Sequence, residues 1–214
     1  LAIKDRRPFN FAQIRGGVVD MMRHPTVRLS IIVQTLCLGA LFSILVMVQP
    51  IYDVIFDRAD SFPFWFGAVA VVSASASILN AIIVVRIGMR RVVTAALFAQ
   101  LCLSGAMLVL TGFELPQMLA FVLFLIWQTS LFFMAGVTLG NLNAIAMEPM
   151  GHIAGTAASI IGAISTVGAA IIAAPIGLLF NGSLVPLAFA LTVMCILALV
   201  LMLQMSRVEK RQPA

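Results

Sequence analysis

Long runs of uncharged residues dominate the pattern of apolar and polar positions along this 214-residue chain. Five segments contain no Asp, Glu, Lys or Arg, and they cover residues 29–52, 61–85, 92–113, 115–147 and 149–206. A helix needs about 20 apolar residues to cross the hydrocarbon core of a bilayer. The segments lack the two-residue alternation of short barrel strands, so the pattern predicts membrane-spanning helices.

The last uncharged run is too long for a single span and must turn back once. Asn181-Gly182-Ser183, followed by Pro186, is its only strong turn signal, so the run divides into two helices. The sequence therefore predicts an all-α membrane protein, with a six-helix transmembrane domain over residues 29–205. The predicted spans are 29–52, 63–85, 92–112, 117–141, 153–180 and 184–205.

The composition agrees with a membrane protein. Hydrophobic residues make up 62% of the chain and charged residues 10%, against about 45–50% and 25% in soluble domains. The three cysteines, Cys37, Cys102 and Cys195, fall inside predicted spans and lack metal-ligand spacing. We therefore expect them to be small buried apolar residues, and the sequence indicates no metal or cofactor.

All but one of the 13 basic residues fall on one side of the predicted bundle. They precede the first span, occupy the 86–91 loop or follow the sixth span, whereas Arg58 shares its loop with Asp53, Asp57 and Asp60. Lys and Arg beside a span are retained in the cytoplasm, so a multi-pass protein with both termini in the cytoplasm is predicted. The basic residues form no folded face with aromatic residues, so we expect no nucleic-acid partner.

Residues 1–28 are predicted to be a cytoplasmic linker before the bundle, and residues 206–214 a cytoplasmic tail. The linker is partly amphipathic, because apolar residues recur at helical spacing after a potential N-cap at Asn10. These apolar residues are Phe11, Ile14, Val18 and Met21. A helix of this kind lies on the membrane surface or against the bundle. Because the sequence begins with Leu1 and not with Met, we expect the chain to be a piece of a longer protein.

Two stretches of the sequence resemble known motifs. Arg86-Ile87-Gly88-Met89-Arg90-Arg91 resembles the end of the cytoplasmic loop motif G-x-L-x-D-R-x-G-R-R of the major facilitator superfamily. Residues 140–170, GNLNAIAMEPMGHIAGTAASIIGAISTVGAA, resemble the junction of the tenth and eleventh helices in the bacterial drug:proton antiporters of that superfamily, the Bcr/CflA group. With six spans and a basic lead-in, essentially the whole chain is similar to the carboxy-terminal half of such a transporter.

The resemblance implies one half of a major facilitator fold, in the bacterial inner membrane, whose partner is a missing amino-terminal six-helix half. It also implies export of small apolar or amphipathic compounds by alternating access, in exchange for protons. Ala81 and Val85 occupy the Gly and Asp positions of the loop motif, and Ser165 stands where the group often carries glutamine. No carboxylate lies in the central part of a predicted span, so we expect the proton carrier in the other half.

Neutral polar and aromatic residues within the spans are the candidate substrate contacts. Gln128 is close to the middle of the fourth span, with Phe124 and Phe132 one turn away on the same face. An amide between aromatic rings suits apolar, often cationic, compounds. The alternative is an interhelical hydrogen bond, worth about 0.6 to 2 kcal/mol.

Further candidates lie in the first two spans. Ser73 and Ser77 share a helix face with Asn80, and they either line a cavity or form hydrogen bonds across helices. Phe42 in the first span completes the substrate-site prediction, and Gln34 and Gln49 are polar residues of the same span.

The fifth span is rich in small residues, which usually permit close approach of helix backbones. They are Gly155, Ser159, Ala163, Gly168 and Gly177, with Pro175 as a predicted bend.

Two other classes of protein compete with a transporter. An intramembrane enzyme needs a nucleophile with a base in reach, but no His or Lys lies in a central span and no G-x-S-x-G occurs. We therefore expect no catalytic residues. The sequence does not exclude the other interpretation, a six-span membrane protein that does not transport or that associates with itself.

Overall fold

The computed structural model describes residues 21–211, except for the side chains of residues 152, 210 and 211. Six long helices carry the fold, and we number them in chain order. They are α1 (Pro25–Pro50), α2 (Phe62–Ile87), α3 (Met89–Leu110), α4 (Gln117–Met147), α5 (Ala154–Leu178) and α6 (Val185–Arg211). A π-helical turn, Ile51–Ile55, extends α1, and a 3₁₀ segment, Glu148–Ile153, follows α4.

The six predicted spans are confirmed as six helices, each long and apolar enough to cross a membrane. No strand occurs within residues 21–211, so the described chain is an all-α bundle of a multi-pass membrane protein. Only the ends differ, because α4 continues to Met147 and α6 to Arg211, beyond the predicted limits of 141 and 205. The extension of α4, residues 142–147, is still mostly apolar, whereas α6 continues into charged residues such as Arg207 and Glu209.

The predicted amphipathic helix of the linker lies mostly outside the described residues, which exclude Asn10, Phe11, Ile14 and Val18. Met21 is described and fully buried, in a small apolar cluster with residues such as Ile31.

Helices α1 and α4 occupy the centre of the bundle. Helix α1 packs on α4, α5 and α6, whereas α4 packs on α1, α2 and α3. Helix α3 also packs on α6 and closes the bundle on one side. Exchanging α1–α3 for α4–α6 leaves this pattern of main neighbours unchanged, so the bundle consists of two three-helix units that occupy equivalent positions and pack mainly against each other. Because three is odd, consecutive units cross the membrane in opposite directions.

Small residues allow the outer helices α2 and α5 to approach the central pair closely. A Cβ atom on Gly168 of α5 would lie 2.7 Å from Cγ2 of Thr35 in α1, and one on Gly177 would lie 2.6 Å from Cγ1 of Val46. This part of the predicted small-residue seam is therefore confirmed. The first part of the seam approaches no described helix, because Gly155, Ser159 and Ala163 are exposed, and close approach there stays a prediction.

The large apolar side chains of α2 and α5 are mostly exposed. Examples are Val71, Ile78 and Val85 in α2 and Ile171 and Leu178 in α5. Lipid tails are as apolar as these side chains, so a bilayer removes the cost that water would impose. The expectation of three buried cysteines is correct for Cys37 and Cys195 and wrong for Cys102, which is exposed on α3.

A single residue, Gly88, separates α2 from α3. Its φ of 84° lies in the left-handed region, where glycine is favoured because a Cβ atom would be strained.

Candidate functional site

The π-helical turn after Pro50 places Tyr52, the only tyrosine of the chain, inside the bundle. The backbone N–H of Phe56 donates to the carbonyl of Ile51, five residues back, at 3.3 Å. Such wider turns occur rarely and are frequent at functional sites. Tyr52 is completely buried there.

Tyr52 donates its hydroxyl hydrogen to Oε1 of Gln128 over 3.1 Å. Gln128 is also completely buried, and its Nε2 has no hydrogen-bond partner among the described residues. Leaving a buried donor unpaired costs about 1–3 kcal/mol. The amide thus keeps an unused hydrogen-bond donor in an apolar setting, which could bind an acceptor atom of a ligand if the surroundings opened.

Aromatic rings enclose this pair. The ring centroids of Phe62, Phe121 and Phe124 lie 5.2, 5.6 and 5.8 Å from that of Tyr52, all edge to face. Phe56 contacts Phe121 at 5.2 Å and Phe124 at 5.4 Å. Trp65 contacts Phe121 at 5.4 Å. We call these six residues, Tyr52, Phe56, Phe62, Trp65, Phe121 and Phe124, the aromatic cluster.

A cation already lies on the aromatic cluster. The guanidinium carbon of Arg58 is 4.5 Å from the centroid of the Phe121 ring. The face of an aromatic ring carries negative charge density and attracts cations at this distance. The edge of the cluster can therefore hold a positively charged group.

The predicted site residues occupy several places. Phe124 belongs to the aromatic cluster, and Gln128, one turn farther along α4, accepts the hydrogen bond from Tyr52. Phe132, farther along α4, is partly buried and contacts Phe66 of α2 at 5.7 Å between ring centroids. Ser73 of α2 is buried and donates to a main-chain carbonyl of α4 at 3.5 Å.

Ser77 and Phe42 lie apart from that group. Ser77 is exposed on α2 and Phe42 is partly buried on α1. Within the described residues, no hydrogen bond or aromatic contact links either one to Gln128.

Asn80 was predicted either to line a cavity or to form a hydrogen bond across helices, and it forms such a bond. Nδ2 of Asn141 donates to Oδ1 of Asn80 at 2.7 Å and to the carbonyl of Val137 at 2.8 Å. Gln49 is exposed, whereas Gln34 is buried with Oε1 unpaired in the described part of the chain. Oγ of Ser165 is likewise buried and unpaired there.

At the other end of the bundle, Arg90 joins two carboxylates. Its Nε and Nη2 donate to Glu209 of α6 at 2.7 and 2.8 Å, and Nη2 also donates to Glu148 at 2.7 Å. The side chain of Arg90 is 35% exposed, so solvent weakens these ion pairs. Both carboxylates come from segments distant in sequence, Glu148 after α4 and Glu209 in α6.

Two grooves of about 640 Å³ each open on the surface of the bundle. One lies between α2, α3 and α4, and its few polar residues include Asn80, Gln100 and Ser130. The other lies between α3 and α6, with Arg90 and Arg91 at one end and apolar side chains along the rest.

Sequence reasoning missed Tyr52 and the Arg90 ion pairs. A lone tyrosine just after Pro50 was a usable signal for the first, whereas the second joins residues 119 positions apart. No group of three or more potential metal ligands occurs within residues 21–211. No family model matches the chain, and no curated protein or solved structure is significantly similar to it.

Proposed function

We propose that the chain is the carboxy-terminal half of a major facilitator superfamily transporter, of the kind that exports small apolar or amphipathic compounds from bacteria in exchange for protons. The observation that carries this proposal is the division into two three-helix units of opposite direction that occupy equivalent positions. Inverted three-helix repeats of this kind build each half of such transporters.

Gln128 and the aromatic cluster are the proposed substrate contacts. A buried amide with an unused donor gives one directional hydrogen bond, and the surrounding rings give an adaptable apolar surface that also attracts cations. Both are enclosed in this conformation. Binding therefore requires α1 and α4 to separate near Tyr52, as expected of a transporter that alternates between open and closed states.

Proton coupling is assigned to the missing half. Residues 29–52, 61–85, 92–113, 115–147 and 149–206 contain no Asp, Glu, Lys or Arg, and their one histidine, His152, lies in the 3₁₀ segment Glu148–Ile153, outside the long helices. A proton carrier within the membrane is usually a carboxylate or histidine.

The exposed faces of α2 and α5 also suit a second reading, in which two copies of this chain associate. Gly155 and Gly162 of α5 have open space where a Cβ atom would be, and glycines with open space beside them permit close approach of another helix. The proposed occupant of these faces is the missing six-helix half, and a second copy is the alternative.

Efflux from inverted membrane vesicles tests the function. The protein is expressed from a gene that includes the upstream coding region. Vesicles that contain it should accumulate a fluorescent amphipathic cation when their interior is acidified. The Gln128→Leu change should lower this rate about tenfold, whereas Gln49→Leu, an equal change at an exposed glutamine, should leave it unchanged.

Two results would contradict the proposal. One is proton-driven accumulation by the isolated chain, which would place the proton carrier in this half. The other is an upstream region without further membrane spans, together with a stable dimer of the chain in detergent, which would favour the self-associating alternative.

A further inference from the structure

The groove between α3 and α6 is polar at one end and mostly apolar along the rest of its length. Its polar end is formed by Arg90, Arg91 and Ser206, near the start of α3 and the end of α6. From there it follows α3 for about two turns, roughly 12 Å at 1.5 Å per residue. Its remaining walls are apolar apart from Thr94 and include Phe98, Leu199, Met202 and Leu203.

The two arginines of the groove differ in their partners. Arg90 is held by Glu148 and Glu209, neither of which lines the groove. Arg91 is exposed, and no described carboxylate lies within ion-pair distance of it. Within residues 21–211, one positive charge without a carboxylate partner therefore remains at the mouth of the groove.

We propose that this groove binds a phospholipid with an anionic headgroup. The phosphate contacts Arg91, and one acyl chain lies along the apolar wall between α3 and α6. Charge complementarity identifies the headgroup, because basic pockets between helices on the cytoplasmic side of a membrane bind anionic lipids. An apolar wall that begins at the charged mouth and continues along the helices matches a lipid, whose headgroup and chains are joined, better than a free anion.

The inference depends on the chain being embedded in a bilayer, with the arginine end of the bundle at the cytoplasmic leaflet, and it does not depend on transport. A protein that moves no compound at all could still bind the lipid, so failure of one proposal leaves the other standing.

Native mass spectrometry of the full chain, purified in mild detergent, tests the site. The protein is titrated with an equimolar mixture of phosphatidylglycerol and phosphatidylcholine. Arg91→Gln should lower the affinity for phosphatidylglycerol about fivefold, the factor expected for one basic residue beside an anionic lipid surface. Phosphatidylcholine binding should not change.

Arg86→Gln is the matched control, because it removes the same charge at the end of α2, on the other side of Gly88, at a residue outside the groove. It should change phosphatidylglycerol binding by less than twofold. An equal loss in both variants would mean that the lipid responds to general surface charge, and the assignment to the groove would be wrong.

A reporter in the apolar wall tests where the chain of the lipid lies. Phe98 is 58% exposed and lines the groove, so a Phe98→Trp variant places an indole beside the proposed acyl chain. Brominated phosphatidylglycerol should quench its added fluorescence more strongly than brominated phosphatidylcholine at equal mole fraction. Equal quenching by the two lipids, or displacement of phosphatidylglycerol by equimolar inorganic phosphate, would overturn the proposal.

Discussion

The hydroxyl group of Tyr52 and the amide of Gln128 join the end of α1 to the central part of α4 through a hydrogen bond of 3.1 Å. These two helices form the centre of the bundle, and the bond lies where neither residue is reached by solvent. The amide nitrogen beside this bond has no partner in the described structure. The pair is therefore a polar contact that is incompletely satisfied, in an otherwise aromatic environment.

The first prediction concerns the energy of this contact. Tyr52→Phe should lower the free energy of unfolding by about 1–2 kcal/mol, because it leaves both polar atoms of the amide unpaired. Adding Gln128→Leu should recover most of that loss, since the double variant buries no unpaired polar atom at this position. Unfolding of the purified chain by a denaturing detergent measures both values. A double variant less stable than Tyr52→Phe alone would show that the amide has another partner.

The second prediction concerns the ion pairs of Arg90. Arg90→Gln removes the guanidinium that joins the start of α3 to Glu148 and Glu209, so it should destabilise the bundle by about 1 kcal/mol. Arg86→Gln should have no measurable effect, because Arg86 forms no ion pair in the described structure. The same unfolding titration, repeated at high salt, should show the difference between the two variants shrinking as the charges are screened.

The third prediction concerns the contact between α5 and α1. Gly168→Val should destabilise the chain by about 1–3 kcal/mol, because a Cβ atom there would approach Thr35 to 2.7 Å. Gly162→Val introduces the same side chain in the same helix at a position with open space. We expect that variant to unfold at the same detergent concentration as the unmodified chain. Equal destabilisation would mean that helix propensity, and not packing, decides the outcome.

The fourth prediction concerns orientation in the membrane. In a Cys102→Ala background, Ala59→Cys should react with a membrane-impermeant maleimide added to intact cells. Ile87→Cys should react only after the membrane is permeabilised, because it adjoins the arginine-rich loop. Both positions are exposed and uncharged. Labelling of Ile87→Cys in intact cells would reverse the predicted topology.

The number and position of the helices could be predicted because each span must be long and uncharged, a property that the sequence displays directly. The inward face of each helix could not be predicted in the same way. Lipid tolerates apolar side chains as readily as the protein core does, so Cys102 and Ile171 carry no sign that they face outward. Ser77, predicted to belong to the site, is exposed on α2 because no described helix covers its face.

The candidate site could be predicted only in part. Gln128 and Phe124 were identifiable because a mid-span amide beside aromatic residues is unusual and local in sequence. Tyr52 donates to Gln128 from 76 residues away, and only the packing of α1 against α4 reveals it. The ion pair of Glu209 could not be predicted for the same reason, because only the packing of α6 against α3 brings Glu209 to Arg90.

A turn of one residue limits how α2 and α3 can move. Gly88 holds the two helices together at the end that carries the arginines, so they cannot part there without breaking a helix. If the groove between α2, α3 and α4 widens, the separation of α2 and α3 must therefore be smallest at Gly88 and must increase towards the opposite leaflet.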